Sequence, residues 1–347
     1  MPNEILTRAI DALCNGDHLT ADHTSAALAE VMEGRAGEVQ TAAFLIALRA
    51  KGETVGELVG LARTMRRLAA PVQTERGDLV DTAGTGGGPS TFNISTTAAL
   101  VAAGAGCAVA KHGNRSNTSR SGSADLLEAL GVRINLGPAE VGRCIDEVGF
   151  GFMFAPRHHS AMRHVVPVRK ELAVRTVFNF LGPLTNPAQT TAAAVGVADA
   201  RIAGIVAGVL AKRGTQALVF RGDDGLDELT TTTTSTVHVV GDGRTRTETF
   251  DPRSLGIAPV EPAALRGGGP AENAEMVRRY LGGEDGPVRD VALLNAAAAI
   301  AAATPSDAPL LERLRAGHER AVESIDSGAA ARMLAAWVAA IPPAGTA

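Results

Sequence analysis

At 347 residues, 45% of them hydrophobic and 20% charged, the chain has the length and composition of a folded globular protein with one large domain and room for a small one. A formal net charge of −4, with Trp337 and Tyr280 the only residues of their kinds, argues against a basic or base-stacking nucleic-acid surface, so any anionic ligand must be caught by local groups. Cys14, Cys107 and Cys144 have no metal-type spacing and leave one thiol unpaired in any disulfide scheme, which fits a reducing compartment.

The N-terminus, Met1-Pro2-Asn3-Glu4-Ile5, has no basic region followed by an apolar core, so no signal peptide is expected. Residues 1 to about 70 read as helix after helix. Val39, Ala43, Ile46 and Ala50 form an apolar stripe that should bury against the main domain or a partner subunit. In the next segment Leu58, Leu61, Met65 and Leu68 recur at helical spacing, and Thr54 with Glu57 forms a capping-box pattern. From about residue 76 short apolar strands (79–83, 107–110, 149–154, 193–197 and 217–220) alternate with helical segments such as 96–105 and 124–130. That alternation predicts an α/β fold with a mainly parallel sheet, and Cys107 should be a small core residue. Thr230–Thr234 is a run of β-branched residues suited to an extended segment. Residues 267–269 and 282–286 read as loops, 295–303 as a buried helix, 329–340 as a last helix, and Pro342–Ala347 as a disordered tail. The small-apolar stretches 97–110 and 296–303 are too short and too rich in Gly or Ala to span a bilayer, so a cytoplasmic protein without membrane contact is expected.

Three segments carry candidate chemistry. Gly84-Thr85-Gly86-Gly87-Gly88 follows a predicted strand, and glycines let several backbone amides approach an anion. Shortly after it, Asn93-Ile94-Ser95-Thr96 opens a helix whose free amides suit a phosphate. A tight turn explains a glycine loop equally well. More informative is Lys111-His112-Gly113-Asn114-Arg115-Ser116-Asn117-Thr118-Ser119-Arg120-Ser121-Gly122-Ser123-Ala124-Asp125, which gathers three cations, a His and seven hydroxyl or amide side chains where a strand ends. Ligands of open α/β sheets collect at such positions, and Ser123 is positioned to cap the next helix. The third, Asp223-Asp224-Gly225-Leu226-Asp227-Glu228, also follows a strand and offers the oxygen ligands magnesium prefers. His158, His159, His164, Arg163, Arg169 and Arg175 fall close together without metal-ligand spacing; a carboxylate clamp could be Arg163 or Arg169 on these grounds. No nucleophile is paired with a base, so charge stabilisation and positioning are expected to carry the catalysis.

The segments 111–116 and 121–125, together with Arg175-Thr176-Val177-Phe178-Asn179-Phe180-Leu181-Gly182-Pro183-Leu184-Thr185-Asn186-Pro187, strongly resemble the anthranilate phosphoribosyltransferases, and the likeness runs over nearly the whole chain. The resemblance implies a nucleoside-phosphorylase-like phosphoribosyltransferase architecture: a small helical domain (1–72, joined by a helical segment near 165–190), a large α/β domain (73–347), and a homodimer paired through the helical part. It implies transfer of a phosphoribosyl group from phosphoribosyl pyrophosphate to anthranilate in tryptophan biosynthesis. By the same resemblance, Gly84, Gly87, Gly88, Thr91, Asn93, Ser95, Thr96, Lys111, Arg115, Ser119 and Ser123 would hold the sugar donor. Ser95, Asp227 and Glu228 would bind Mg2+, and Lys111, Asp227 and Glu228 would be catalytic. Asn114 and Arg169 would orient anthranilate, with Gly84, His112, His159 and Pro183 beside it. The family loop usually reads Gly-Thr-Gly-Gly-Asp-Gly and is one residue longer; here Gly88-Pro89-Ser90 replaces its end, and an acidic group is missing. A pyrimidine nucleoside phosphorylase and a non-catalytic nucleic-acid-binding relative are the alternatives; the 175–187 segment and the acidic pair speak against the first, and the net acidic balance with that same pair against the second.

Overall fold

The chain opens with four helices, α1 (Glu4–Cys14), α2 (Ala21–Met32), α3 (Glu38–Lys51) and α4 (Val55–Leu68), in a computed structural model that describes residues 2–116 and 120–341. Local sequence explains their starts. Asn3 caps α1 by accepting from the Ile5 and Leu6 amides, and Thr54 with Glu57 closes the expected capping box on α4. Leu58, Leu61 and Met65 are buried as their spacing predicts. The stripe expected on α3 does not enter this chain's own core. Phe44, Leu45 and Leu48, the bulkier apolar residues, turn inward, whereas Val39 is 83% and Ile46 37% exposed.

The chain then continues through β1 (Leu79–Gly84), α5 (Ile94–Gly104), β2 (Ala108–Gly113), α6 (Ser123–Ala129), α7 (Pro138–Val148), β3 (Phe150–Phe154), α8 (Ala155–His158), α9 (Val166–Leu172), β4 (Ala192–Gly196), α10 (Ala200–Arg213), β5 (Gln216–Gly222), β6 (Ser235–Gly241) and β7 (Arg244–Phe250). It ends with α11 (Pro270–Leu281), α12 (Pro287–Ala303), α13 (Leu310–Asp326) and α14 (Ala329–Ala340). The sheet order is β3-β2-β1-β4-β5-β6-β7. Pairings among β1 to β5 are parallel, and β6 and β7 add on antiparallel. Period-two alternation splits two cores across the sheet. Ala192, Ala194, Leu218 and Phe220 pack with α5 and α12, while Ala193, Val195, Ala217 and Val219 pack with α10 and the N-terminal helices. Val165, Val168, Phe178 and Leu181 join the second core.

Two local expectations are revised. Thr230–Thr234 forms bends, and the strand starts only at Ser235, because the Thr230 and Thr232 hydroxyls are taken up by Asp224. Gly122 caps α6 and Ser123 is its first helical residue, since the Asp125 carboxylate satisfies the Gly122 amide at 2.9 Å and the Ser123 hydroxyl donates to the Asn114 carbonyl. The expected tail Pro342–Ala347 lies outside the described residues. Among the described residues no helix is long and apolar enough to cross a membrane.

From the central strand β1 the chain runs outward to β2 on one side and later returns to β4 on the other. Such a switch point opens a crevice at the carboxyl ends of the strands, where α/β proteins place their ligands. Gly84 and Gly196, the last residues of β1 and β4, face each other across it.

Candidate active site

The crevice floor is built by close approach of backbone. A Cβ on Gly84 would lie 2.6 Å from Oδ2 of Asp227, and one on Gly196 would lie 1.6 Å from the Asp227 carbonyl oxygen. Asp227 therefore docks against two strand ends that only glycine permits, and its Oδ2 accepts the Gly86 amide at 2.8 Å. Gly86 (φ +65°) and Gly87 (φ +94°) turn in the left-handed region, which aims the Gly86 amide at Asp227. Arg175 lies on Gly87 and donates to the Gly86 carbonyl at 3.0 Å. Gly88 closes on the Gly225 carbonyl, 2.8 Å from where its Cβ would be. Thr91 is half-buried beyond the loop, and Thr96 is buried in the first turn of α5.

Beside Asp227, Glu228 meets the start of α5. Burial pushes its carboxyl well above the usual range, Asp227 adds to this, and Lys111 and the Ser95 amide oppose it. Burial likewise raises Asp227, against the Gly86 amide and Arg175. Lys111 is only 2% exposed and donates to the carbonyl and hydroxyl of Thr82. Its ammonium is pushed down by burial and held up by Asp81 and Glu228. Asp81, also buried, accepts from Asn186 Nδ2 at 2.8 Å and from the His112 amide at 3.2 Å. Thr82 closes the circuit by donating to the Ser95 carbonyl at 3.1 Å. Two of these carboxylates, Asp81 and Glu228, thus share Lys111 at the strand ends, while Asp227 has Arg175 as its cation.

The neighbouring wall is neutral. His112 Nδ1 meets the Gly182 carbonyl at 3.2 Å, and its ring lies 5.0 Å from that of His159. The Nε2 atoms of both rings are buried without a hydrogen-bond partner among the described residues. Burial pushes His112 down to about 3 and His159 to about 4, with the neighbouring histidines adding to the effect. Both rings are therefore uncharged at neutral pH. Pro183 is buried in the same turn as Gly182. Arg169, on α9, stacks its guanidinium over Phe178 at 5.5 Å, and burial lowers its pKa. Arg163 is exposed.

Residues 76–331 match the model for the glycosyl transferase family, a/b domain, and residues 7–69 match that family's helical bundle domain. An anthranilate phosphoribosyltransferase from Thermobifida fusca is 53% identical over 97% of this chain and 97% of its own length. One from a Nocardioides species is 56% identical over 95% of this chain and 97% of its own. The chain belongs to the anthranilate phosphoribosyltransferase family. Among solved members, the Thermus thermophilus enzyme superposes with a TM-score of 0.89 at 44% identity, covering 96% of this chain and 98% of that one. The Saccharomyces cerevisiae enzyme, in complex with phosphoribosyl pyrophosphate and Mg, gives 0.86 at 28% identity, covering 96% and 97%. The family has the small helical and large, mostly parallel α/β units described above, and the phosphorylase alternative is not favoured.

Several residues that the family resemblance singles out are drawn together, and others are engaged elsewhere. Gly84, Gly87, Gly88, Ser95, Lys111, Asp227 and Glu228 converge at the strand ends. Asn93 ties two of the segments, donating to the Ser121 carbonyl at 3.0 Å and accepting from Asn273 at 2.8 Å. Arg115 turns away from the crevice onto Asp125 (2.8 Å) and Glu128 (2.6 Å). Asn114 is exposed at the end of β2, and Ser119 lies outside the described residues. Sequence reading gave no role to Asp81, Thr82, Asn186 or Asn273. Asn186 lies within the recognised 175–187 segment, but its partner Asp81 is 105 positions away in sequence.

Proposed function

We propose that this chain transfers the 5-phosphoribosyl group of phosphoribosyl pyrophosphate to anthranilate, giving N-(5-phosphoribosyl)anthranilate and pyrophosphate. The observation that carries the reading is the meeting of the Gly84–Gly88 loop, the amides opening α5, Lys111 and the Asp227–Glu228 pair at one switch point, in a chain of this family. The bond between the ribose anomeric carbon and a pyrophosphate oxygen breaks as the anthranilate nitrogen bonds to that carbon, and the nitrogen then loses a proton. The loop amides and the amides of Asn93–Thr96 would receive the phosphates, with Gly84, Gly87, Gly88, Thr91 and Ser123 shaping the pocket. Lys111 acts through its field, because its ammonium is held inside by Thr82. Arg115 would have to leave Asp125 and Glu128 to reach a phosphate.

Ser95, Asp227 and Glu228 fit magnesium: carboxylates raised by burial, Glu228 also by Asp227, and only partly offset by Lys111 and Arg175, suit a cation whose remaining ligands are substrate phosphates. Bound there, it would supply positive charge to the departing pyrophosphate. Among the described residues no group of three or more His, Cys, Asp and Glu side chains could hold a metal alone, in keeping with a site that substrate completes. The uncharged His112–His159 wall and Pro183 suit the anthranilate ring, and Asn114 and Arg169 would take its carboxylate. The outward Val39 and Ile46 on α3, near exposed Val166 on α9, suit pairing of two copies through the helical part. The unpaired thiols accord with a cytoplasmic setting.

The assay is direct. Anthranilate fluorescence should fall when phosphoribosyl pyrophosphate and magnesium are added to the purified protein, with pyrophosphate released in equal amount. Unchanged fluorescence under those conditions contradicts the reading.

A further inference from the structure

A second recess, away from the strand ends, lies between α4 and α10 and encloses about 400 Å3. Aliphatic Val59, Ala62 and Val209 line it together with Arg66, Lys212 and Arg213. Two further arginines at the recess, Arg63 and Arg67, have carboxylate partners in Asp22 (2.7 Å) and Glu33 (3.7 Å). No such ion pair neutralises Arg66, Lys212 or Arg213 among the described residues. Arg66 reaches only the Gln189 side chain at 3.3 Å, and its Nε is buried without an acceptor. Arg213 donates to the Leu184 carbonyl at 2.6 Å. Burial, with Arg66 adding repulsion, pushes Arg213 down to about 10.

The cations sit in the last turns of α4 and α10, where the helix dipole favours positive charge. That accounts for a cation at each helix end. It does not account for gathering both sets in one recess without counter-charge, where they repel and where half-buried Arg66 and Arg213 lose hydration beside the exposed Lys212. An oxyanion between them would relieve both costs, and guanidinium groups bind phosphate oxygens in pairs. The recess has no aromatic residue on which a nucleobase could stack.

We propose that the α4–α10 recess is a binding site for a small phosphorylated, non-aromatic molecule of the sugar-phosphate class, its phosphate between Arg66, Lys212 and Arg213. The site is separate from the strand-end crevice, and the inference does not rest on the transferase reaction. Isothermal titration of the full chain with inorganic phosphate should show one more bound equivalent in the wild type than in an Arg66→Gln/Lys212→Gln double variant. Lys212→Gln alone should weaken that equivalent severalfold and melt as the wild type does. Ribose 5-phosphate should bind there at least as tightly as phosphate, and adenosine monophosphate no more tightly than ribose 5-phosphate. Equal stoichiometry and affinity in wild type and variants would overturn the site, and preferential binding of the adenine nucleotide would overturn the ligand class.

Discussion

Glu228→Gln is expected to separate stability from activity. In the metal-free protein, burial first and Asp227 second push the Glu228 carboxyl well above the usual range. Like charges a few ångströms apart at an effective dielectric of about 20 repel by roughly 3–4 kcal/mol, part of which protonation already relieves. An amide of the same shape removes the rest and keeps an oxygen for the Ser95 amide, while Lys111 retains Asp81 as counter-charge. Unfolding by urea in the presence of a chelator should therefore give a stability within about 1 kcal/mol of wild type, or higher. Turnover should move the other way. Losing one carboxylate ligand of the magnesium that would offset the leaving pyrophosphate costs about 2.7–4 kcal/mol in the barrier, roughly 10²–10³-fold in kcat. The raised carboxyl also means that magnesium must displace a proton, so metal affinity should weaken as pH falls, starting above the ordinary carboxylate range. A variant that lost more than about 2 kcal/mol of stability yet kept a tenth or more of wild-type turnover would refute the reasoning.

Three further outcomes are expected. Asn186→Leu removes bonds to Asp81 (2.8 Å), the Ala110 carbonyl (2.7 Å) and the Ala188 amide (2.9 Å), leaving buried partners unmatched; urea titration should show a loss of about 3 kcal/mol or more, and a loss under 1 kcal/mol would show those bonds to be dispensable. Gly196→Ala drives a methyl into the Asp227 carbonyl; the KM for phosphoribosyl pyrophosphate should rise at least about tenfold, and an unchanged KM would separate Asp227 from the donor site. His159 stays neutral in the folded state down to about 4, whereas the unfolded ring takes up a proton below about 6.5. Its contribution is full above 6.5 and shrinks as pH falls toward 4, by at most about 2 kcal/mol between pH 6.5 and 5. His159→Gln should flatten the fall of Tm over that interval, and an unaltered slope would assign the acid sensitivity elsewhere.

Where a local rule decides the outcome, the sequence was a sufficient guide. The Thr54–Glu57 box, the apolar strand segments 79–83 and 107–110, and the buried helical segment 295–303 follow from capping, alternation and composition. β7 escaped notice because an outer strand with solvent on most of its length, Arg244-Thr245-Arg246-Thr247-Glu248-Thr249-Phe250, has no apolar period to read. The α3 stripe faces away from this chain's core because two apolar faces compete on one helix, and the bulkier one takes the core. At the crevice, charged and glycine-rich segments could be found by composition, but their wiring could not. Asn186 with Asp81, and Asp227 with the Gly86 amide, meet only because strands distant in sequence end side by side. The outward turn of Arg115 depends on Asp125 and Glu128, helical neighbours whose competing claim spacing alone does not rank.

The most direct test is a crystal structure with phosphoribosyl pyrophosphate and magnesium bound. Its diphosphate should lie against the Gly84–Gly88 loop and the first amides of α5, with Asp227 or Glu228 coordinating the cation. Density for the donor elsewhere, or an acidic pair still closed on Gly86 and Lys111 with no metal between it and the phosphates, would contradict the account.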